Sequence, residues 1–270
     1  MKRGFTLIEM SVVLLVIALV THLAFRQLGA VRDAKLVAAA DRQLSEIRDA
    51  VYSVDRDGEP TGFLADMGRL VAATNGTLSE LWRLPAGARQ YAVRPALREN
   101  FVAGVADELE NGDVRVATGW RGPYLRLPVG RSRLTDPWGN PLESPDTAGF
   151  DRLAVTNGVA TAVSHFGPTA LPHDERRRTL ALAPERGASS RLFVQVVSRS
   201  GASLPPVDYC WYGPCDGLIT GACEKAVQYG RSCAFEGLTP GRRVLWDSAS
   251  RVSRLVTVLP GDNQVEVAVP

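Results

Sequence analysis

The chain has 270 residues, 31 Lys plus Arg against 29 Asp plus Glu, a formal net charge of +2, and 45% hydrophobic residues. That length suits one or two globular domains with a real core. The near-neutral balance, with no basic tail or stripe, carries no nucleic-acid signature, and Arg176-Arg177-Arg178 behind Asp174-Glu175 reads as a solvated loop.

Lys2 and Arg3 precede Gly4, and residues 5–25 are apolar except for Thr6, Glu9, Ser11, Thr21 and His22. As a helix this run is about 32 Å long, close to one hydrocarbon thickness. An acid at bilayer depth costs on the order of 3 kcal/mol, so a plain anchor would avoid Glu9. A removable secretory signal has a shorter, uncharged apolar region and a small-residue cleavage site; this run has neither. Gly4-Phe5-Thr6-Leu7-Ile8-Glu9 with the run behind it resembles the class III signal of type IV pilins and type II secretion pseudopilins. The resemblance implies cleavage by prepilin peptidase between Gly4 and Phe5, N-methylation of Phe5, and an assembly role for Glu9. It places residues 1–4 as leader and 5–25 in the inner membrane, with the rest in the periplasm.

Val37, Ala40, Leu44, Ile47, Val51 and Val54 recur at three- and four-residue steps, which predicts that the helix continues as an amphipathic one. Asp57-Gly58-Glu59-Pro60 ends it, giving a helix over 5–57 about 80 Å long. Many pilins bend this helix with a proline near the position of Arg26. Here Gly29 is the local weak point, at about 1 kcal/mol relative to alanine.

Residues 58–160 read as a small α/β head. Short helices are expected around Phe63, Leu64, Met67, Leu70 and Val71, and around Leu78, Leu81 and Trp82; strands are expected at 91–93 and 114–116. Gly122-Pro123-Tyr124-Leu125 followed by Asp136-Pro137-Trp138-Gly139-Asn140-Pro141, the latter with turn chemistry, resembles the head of the major pseudopilin. That family usually adds a calcium loop. Asp146, Asp151, Asn157 and Gly158 do not assemble a convincing oxygen set, and turn capping is the better reading. His165 and His173 lack metal-ligand spacing, so no metal and no cofactor is expected.

Residues 161–189 read as a connector. In 190–270, strand-like runs at 191–197, 243–246, 252–258 and 265–269, punctuated by Pro and Gly, predict a β-sandwich; Phe235-Glu236-Gly237-Leu238-Thr239-Pro240-Gly241 gives it a loose resemblance to prealbumin-like modules. Cys210, Cys215, Cys223 and Cys233 lie within it. They lack a C-x2-C pair for zinc, and their even number in an exported region predicts two disulfides of open connectivity.

The expected fold class is α+β: a long helix, a small head and a C-terminal sandwich. No nucleophile elbow, HExxH, phosphate loop or dinucleotide fingerprint is present, so no catalytic residue and no enzyme is expected. The resemblance implies a structural subunit of a type II secretion pseudopilus. Its expected partners are prepilin peptidase, other pilin or pseudopilin subunits, the inner membrane, and secreted cargo or an outer-membrane channel. A minor type IV pilus subunit and a membrane-tethered binding module are the alternatives.

Overall fold

The computed structural model describes residues 7–71, 78–105, 107–139, 142–143, 161–165, 177–181, 189–198, 206–228 and 230–269, with side chains left out at 24–30, 33, 142–143, 161–165, 177–181, 198 and 269. In chain order come α1 (Leu7–Val51), β1 (Ser53–Val54), β2 (Pro60–Thr61), α2 (Phe63–Met67), β3 (Ala92–Ala96), β4 (Asn111–Thr118), β5 (Leu142–Glu143), β6 (Thr161–His165) and β7 (Arg177–Ala181). There follow β8 (Ser190–Ser198), β9 (Val207–Cys215), β10 (Leu218–Val227), β11 (Ser232–Leu238), β12 (Gly241–Asp247), β13 (Ser253–Val258) and β14 (Asp262–Val269). The class is α+β, an N-terminal helix, then a small helix-and-strand region, then a β-rich region with several sheets.

Among its described side chains, α1 buries a stripe in its C-terminal part. Ala40, Leu44, Ile47, Ala50 and Val51 pack with Phe63, Met67, Val71, Leu78, Leu81, Trp120 and Leu134 in one core. The helix stops at Val51, six residues before the expected end. Val54 joins β1, which pairs with β2, and the Asp55 carboxylate accepts the backbone N–H groups of Asp57 and Glu59 at 3.0 and 2.9 Å. That aspartate-capped turn competes successfully with another helical turn. The second expected helix is a single 3-10 turn, Ser79–Leu81.

Two further cores build the C-terminal part. Leu192, Val194, Val196, Phe235, Leu238 and Val267 from the sheet ordered β11-β8-β14 face Val207, Tyr209, Trp211, Leu245, Val256 and Val258 from the sheet ordered β10-β9-β12-β13. On the other face of that four-stranded sheet, the β3–β4 hairpin packs Ala96, Val114 and Val116 against Cys210, Tyr212, Ile219 and Val244. β9 is therefore buried on both faces, and the four-stranded sheet is the middle of three layers. In chain order before β8, residues 161–189 contain β6 and β7, which pair with each other, with β6 also pairing β5; β7 runs beside α1.

Where β9 turns into β10, the hairpin docks on the end of α2. Gly68, in the left-handed region at φ 72°, ends α2, and a Cβ there would lie 1.8 Å from the Pro214 carbonyl oxygen. The Asp216 N–H donates to the Met67 carbonyl at 2.6 Å. Only a glycine permits both that backbone conformation and that approach.

Candidate assembly site

Gly4 and Phe5 lie outside the described residues. Glu9 stands two residues after Leu7, the first described residue of α1. Behind it the helix is apolar on every side: Leu14 is 61% exposed, Leu15 69% and Val20 58%. A helix hydrophobic all round belongs in lipid or inside a bundle of other helices. Its polar exceptions are partly neutralised within the helix. Ser11 Oγ donates to the Ile8 carbonyl at 2.8 Å and Thr21 Oγ1 to the Ile17 carbonyl at 2.7 Å, which removes two free donors from an apolar surface. Among the described residues no helix is long and apolar enough to cross a membrane; the apolar side chains described in this part of α1 stop at Leu23.

The head grips the far end of α1 through the two motif segments. The Leu81 carbonyl accepts the N–H groups of Tyr124 and Leu125 at 2.8 and 3.1 Å. The Tyr124 ring meets Phe63 and Trp120 edge-on at 5.7 and 6.0 Å, and Trp120 Nε1 donates to the Glu80 carbonyl at 2.8 Å. In the second segment Trp138 packs on the α1 core and the Gly139 N–H closes the turn onto the Asp136 carbonyl at 2.9 Å; just before it Leu134 is buried in the same core and the Thr135 carbonyl accepts Gln43 Nε2 at 2.9 Å. Both segments thus act as packing surfaces that fix the head on the helix.

A charged group lies beneath the first segment. Asp66 is 5% exposed, receives Arg121 Nη2 at 2.8 Å and accepts the Tyr124 hydroxyl at 3.0 Å. The Tyr124 oxygen in turn accepts the Arg121 backbone N–H at 2.9 Å. Burial pushes the Asp66 carboxyl up to about 6 against the opposing pull of Arg121 and Tyr124. Burial also raises the Tyr124 phenol, assisted by Asp66. Burial opposes the charge on Arg69, but its bonds to Glu80 and Asp216, both at 2.7 Å, outweigh that and raise its pKa. This arginine ties the head to the β9–β10 turn.

Arg243, 1% exposed, donates to the carbonyls of Arg242, Thr239 and Pro240 and to the Thr239 hydroxyl. No carboxylate pairs with it among the described residues, and burial pushes it down to about 9. Gly213 leaves room for its stem, since a Cβ there would fall 2.4 Å from Arg243 Cδ.

The cysteines depart from the two-disulfide expectation. Cys210 and Cys223 are directly opposite in the β9–β10 register and form a disulfide. Cys215 and Cys233 are free, partly buried thiols. Cys215 ends β9 about 17 Å along the strand from Cys210, and Cys233 lies in the other sheet opposite Val194, so strand geometry keeps them apart. Burial, assisted by Asp216, raises the Cys215 thiol; burial, assisted by Glu224, raises that of Cys233 to about 11. Neither has the depressed pKa of a reactive thiol.

Asp146, Asp151, Asn157, Gly158 and His173 lie outside the described residues, as does the side chain of His165. Among the described residues no group of three or more His, Cys, Asp or Glu side chains gathers as a metal site would.

Residues 1–25 match the prokaryotic N-terminal methylation motif. No curated relative matches the chain. The motif supports a type IV pilin- or pseudopilin-like protein with an N-terminal helix anchored in the inner membrane. It implies processing by prepilin peptidase and assembly with other pilins.

Proposed function

We propose that this chain is a structural subunit of a type II secretion pseudopilus, cut between Gly4 and Phe5, N-methylated on Phe5, and assembled through Glu9 into a periplasmic fibre that moves folded cargo towards an outer-membrane channel. The observation that carries the reading is the methylation motif joined to an all-round apolar helix whose far end is gripped by the Gly122-to-Leu125 and Asp136-to-Gly139 segments. An all-round apolar surface has two stable environments, the bilayer before assembly and a bundle of like helices after it. The reading gives the chain no catalytic role: its buried charges tie elements together.

Deleting the gene in its native host tests the assignment. Loss of secretion of folded proteins with surface pili intact supports it. Loss of pili, motility or DNA uptake with secretion intact assigns the chain to a type IV pilus. Both processes unchanged, with the chain absent from any fibre, assigns it to a tethered binding module.

A further inference from the structure

Two opposite concentrations of charge sit on the surface. Residues 121–133 contain four arginines and no acid. Arg121 is engaged with Asp66 and with the Tyr91 ring, 4.2 Å below its guanidinium. Arg126, Arg131 and Arg133 are exposed and make no ion pair among the described residues. The loop that bears Arg131 and Arg133 is held at both ends, by Leu127 and by Leu134 on the α1 core, and Arg126 immediately precedes Leu127. It lies near the level where α1 leaves the head, since Gln43 bonds Thr135 and the buried positions of α1 begin at Ala40.

The acidic counterpart is Asp107, Glu108, Glu110 and Asp113, on the 3-10 turn Asp107–Leu109 and the start of β4. Lys225 takes Glu108 at 2.5 Å, and Arg98 approaches Asp107 at 3.8 Å. Glu110 and Asp113 make no ion pair among the described residues, and the exposed Arg115 follows Asp113 on the same face of β4. A cleft of about 240 Å³ opens beside them, with Arg98, Phe101, Val105, Asp107 and Glu110 in its walls. That is smaller than the roughly 300–1,000 Å³ of small-molecule sites, and suits one long side chain. The other end of β4, about 24 Å of strand away, leads into the arginine segment.

A basic patch on one copy can meet the acidic patch of the next head to tail, and such a contact extends as an open filament when the rotation between copies does not close; the fibre reading selects that arrangement over a closed dimer. We infer that the 126–133 loop of one copy docks on the acidic end of β4 of a second copy, with an arginine entering the cleft beside Asp107 and Glu110. The inference rests on the fibre-subunit reading and adds to it the surface that sets the stagger of successive heads. Exposed ion pairs set orientation and register more than affinity, while apolar helix packing supplies the adhesion.

The test uses the full chain expressed in membranes with its assembly machinery, as two differently tagged copies. One copy carries Arg131→Cys and the other Glu110→Cys, and a short bismaleimide joins them. A covalent dimer of the two tags is expected, with far less when both copies carry Arg131→Cys. Separately, Arg131→Glu with Arg133→Glu lowers incorporation into the fibre roughly tenfold, equivalent to about 1.4 kcal/mol. Adding Glu110→Arg and Asp113→Arg to the same chain restores it. If the wild-type chain enters the fibre but the two positions do not cross-link, or the reciprocal reversal gives no rescue, this inference fails alone. An adduct to a different subunit overturns the second-copy assignment. A wild-type chain that enters no fibre overturns the fibre reading as well.

Discussion

Asp66→Asn should flatten the acid limb of the stability curve. Asp66 is 5% exposed, and burial raises its carboxyl from 3.8 to about 6. Between those two values the folded chain keeps a proton that the unfolded chain releases, so acidification stabilises the fold. The contribution is complete below the unfolded value of 3.8 and is lost as pH rises through about 6. A rise of about two units is worth about 3 kcal/mol between the limits. Asparagine keeps an acceptor for the Tyr124 hydroxyl, removes the charge, and does not titrate. Denaturant midpoints at pH 4, 5, 6 and 7, read by tryptophan fluorescence, check this on the full chain in detergent. Other titrating groups largely cancel in the comparison of wild type with variant. The wild type should lose stability relative to Asp66→Asn as pH rises from 4 to 7, by an amount of that order. Arg121→Ala should steepen the wild-type slope, because it removes the cation that favours the ionised form. Identical pH slopes in wild type and Asp66→Asn would refute the burial argument.

The disulfide closes a separation of 13 residues, so reduction or Cys210→Ala with Cys223→Ala should cost about 3 kcal/mol; thiol labelling of the denatured, unreduced protein should find two free thiols, and four would contradict the pairing. Gly68→Ala places a Cβ 1.8 Å from the Pro214 carbonyl oxygen at a positive φ, so it should destabilise by about 2–4 kcal/mol, seen as a lowered thermal midpoint. Glu9→Leu relieves the roughly 3 kcal/mol cost of an acid in the bilayer, so membrane insertion should hold or improve. On the proposed assembly reading its incorporation into the fibre should fall, because the Phe5 amino group that cleavage would create would lose a carboxylate partner on the adjacent subunit, and a stranded buried charge costs about 3–5 kcal/mol; normal cross-linking to other pilins would show that Glu9 plays no assembly role.

The N-terminal signal was legible because its chemistry is local: Gly4, Phe5, Glu9 and an apolar run need no tertiary partner to be recognised. β8, β12, β13 and β14 were legible from apolar runs bounded by glycine and proline. β9 was not, because Tyr209 and Trp211 face one core while Cys210 and Tyr212 face another, and two-sided burial erases alternation. Gly213-Pro214 and Gly221 hid it further. The same blindness produced the two-disulfide expectation, since spacing alone cannot show that only Cys210 and Cys223 are opposed. The Asp66–Arg121–Tyr124 group joins residues as much as 58 apart in sequence, and its burial leaves no local signal. In the motif segments the sequence marked the residues, but only the packing explains them as the grip of the head on α1.

Mass spectrometry of the mature N-terminus decides whether the chain is processed as the pilin reading requires. The mature chain should begin at N-methylated Phe5, with Met1 to Gly4 removed. An intact Met1, or a cut beyond Phe25, would contradict it.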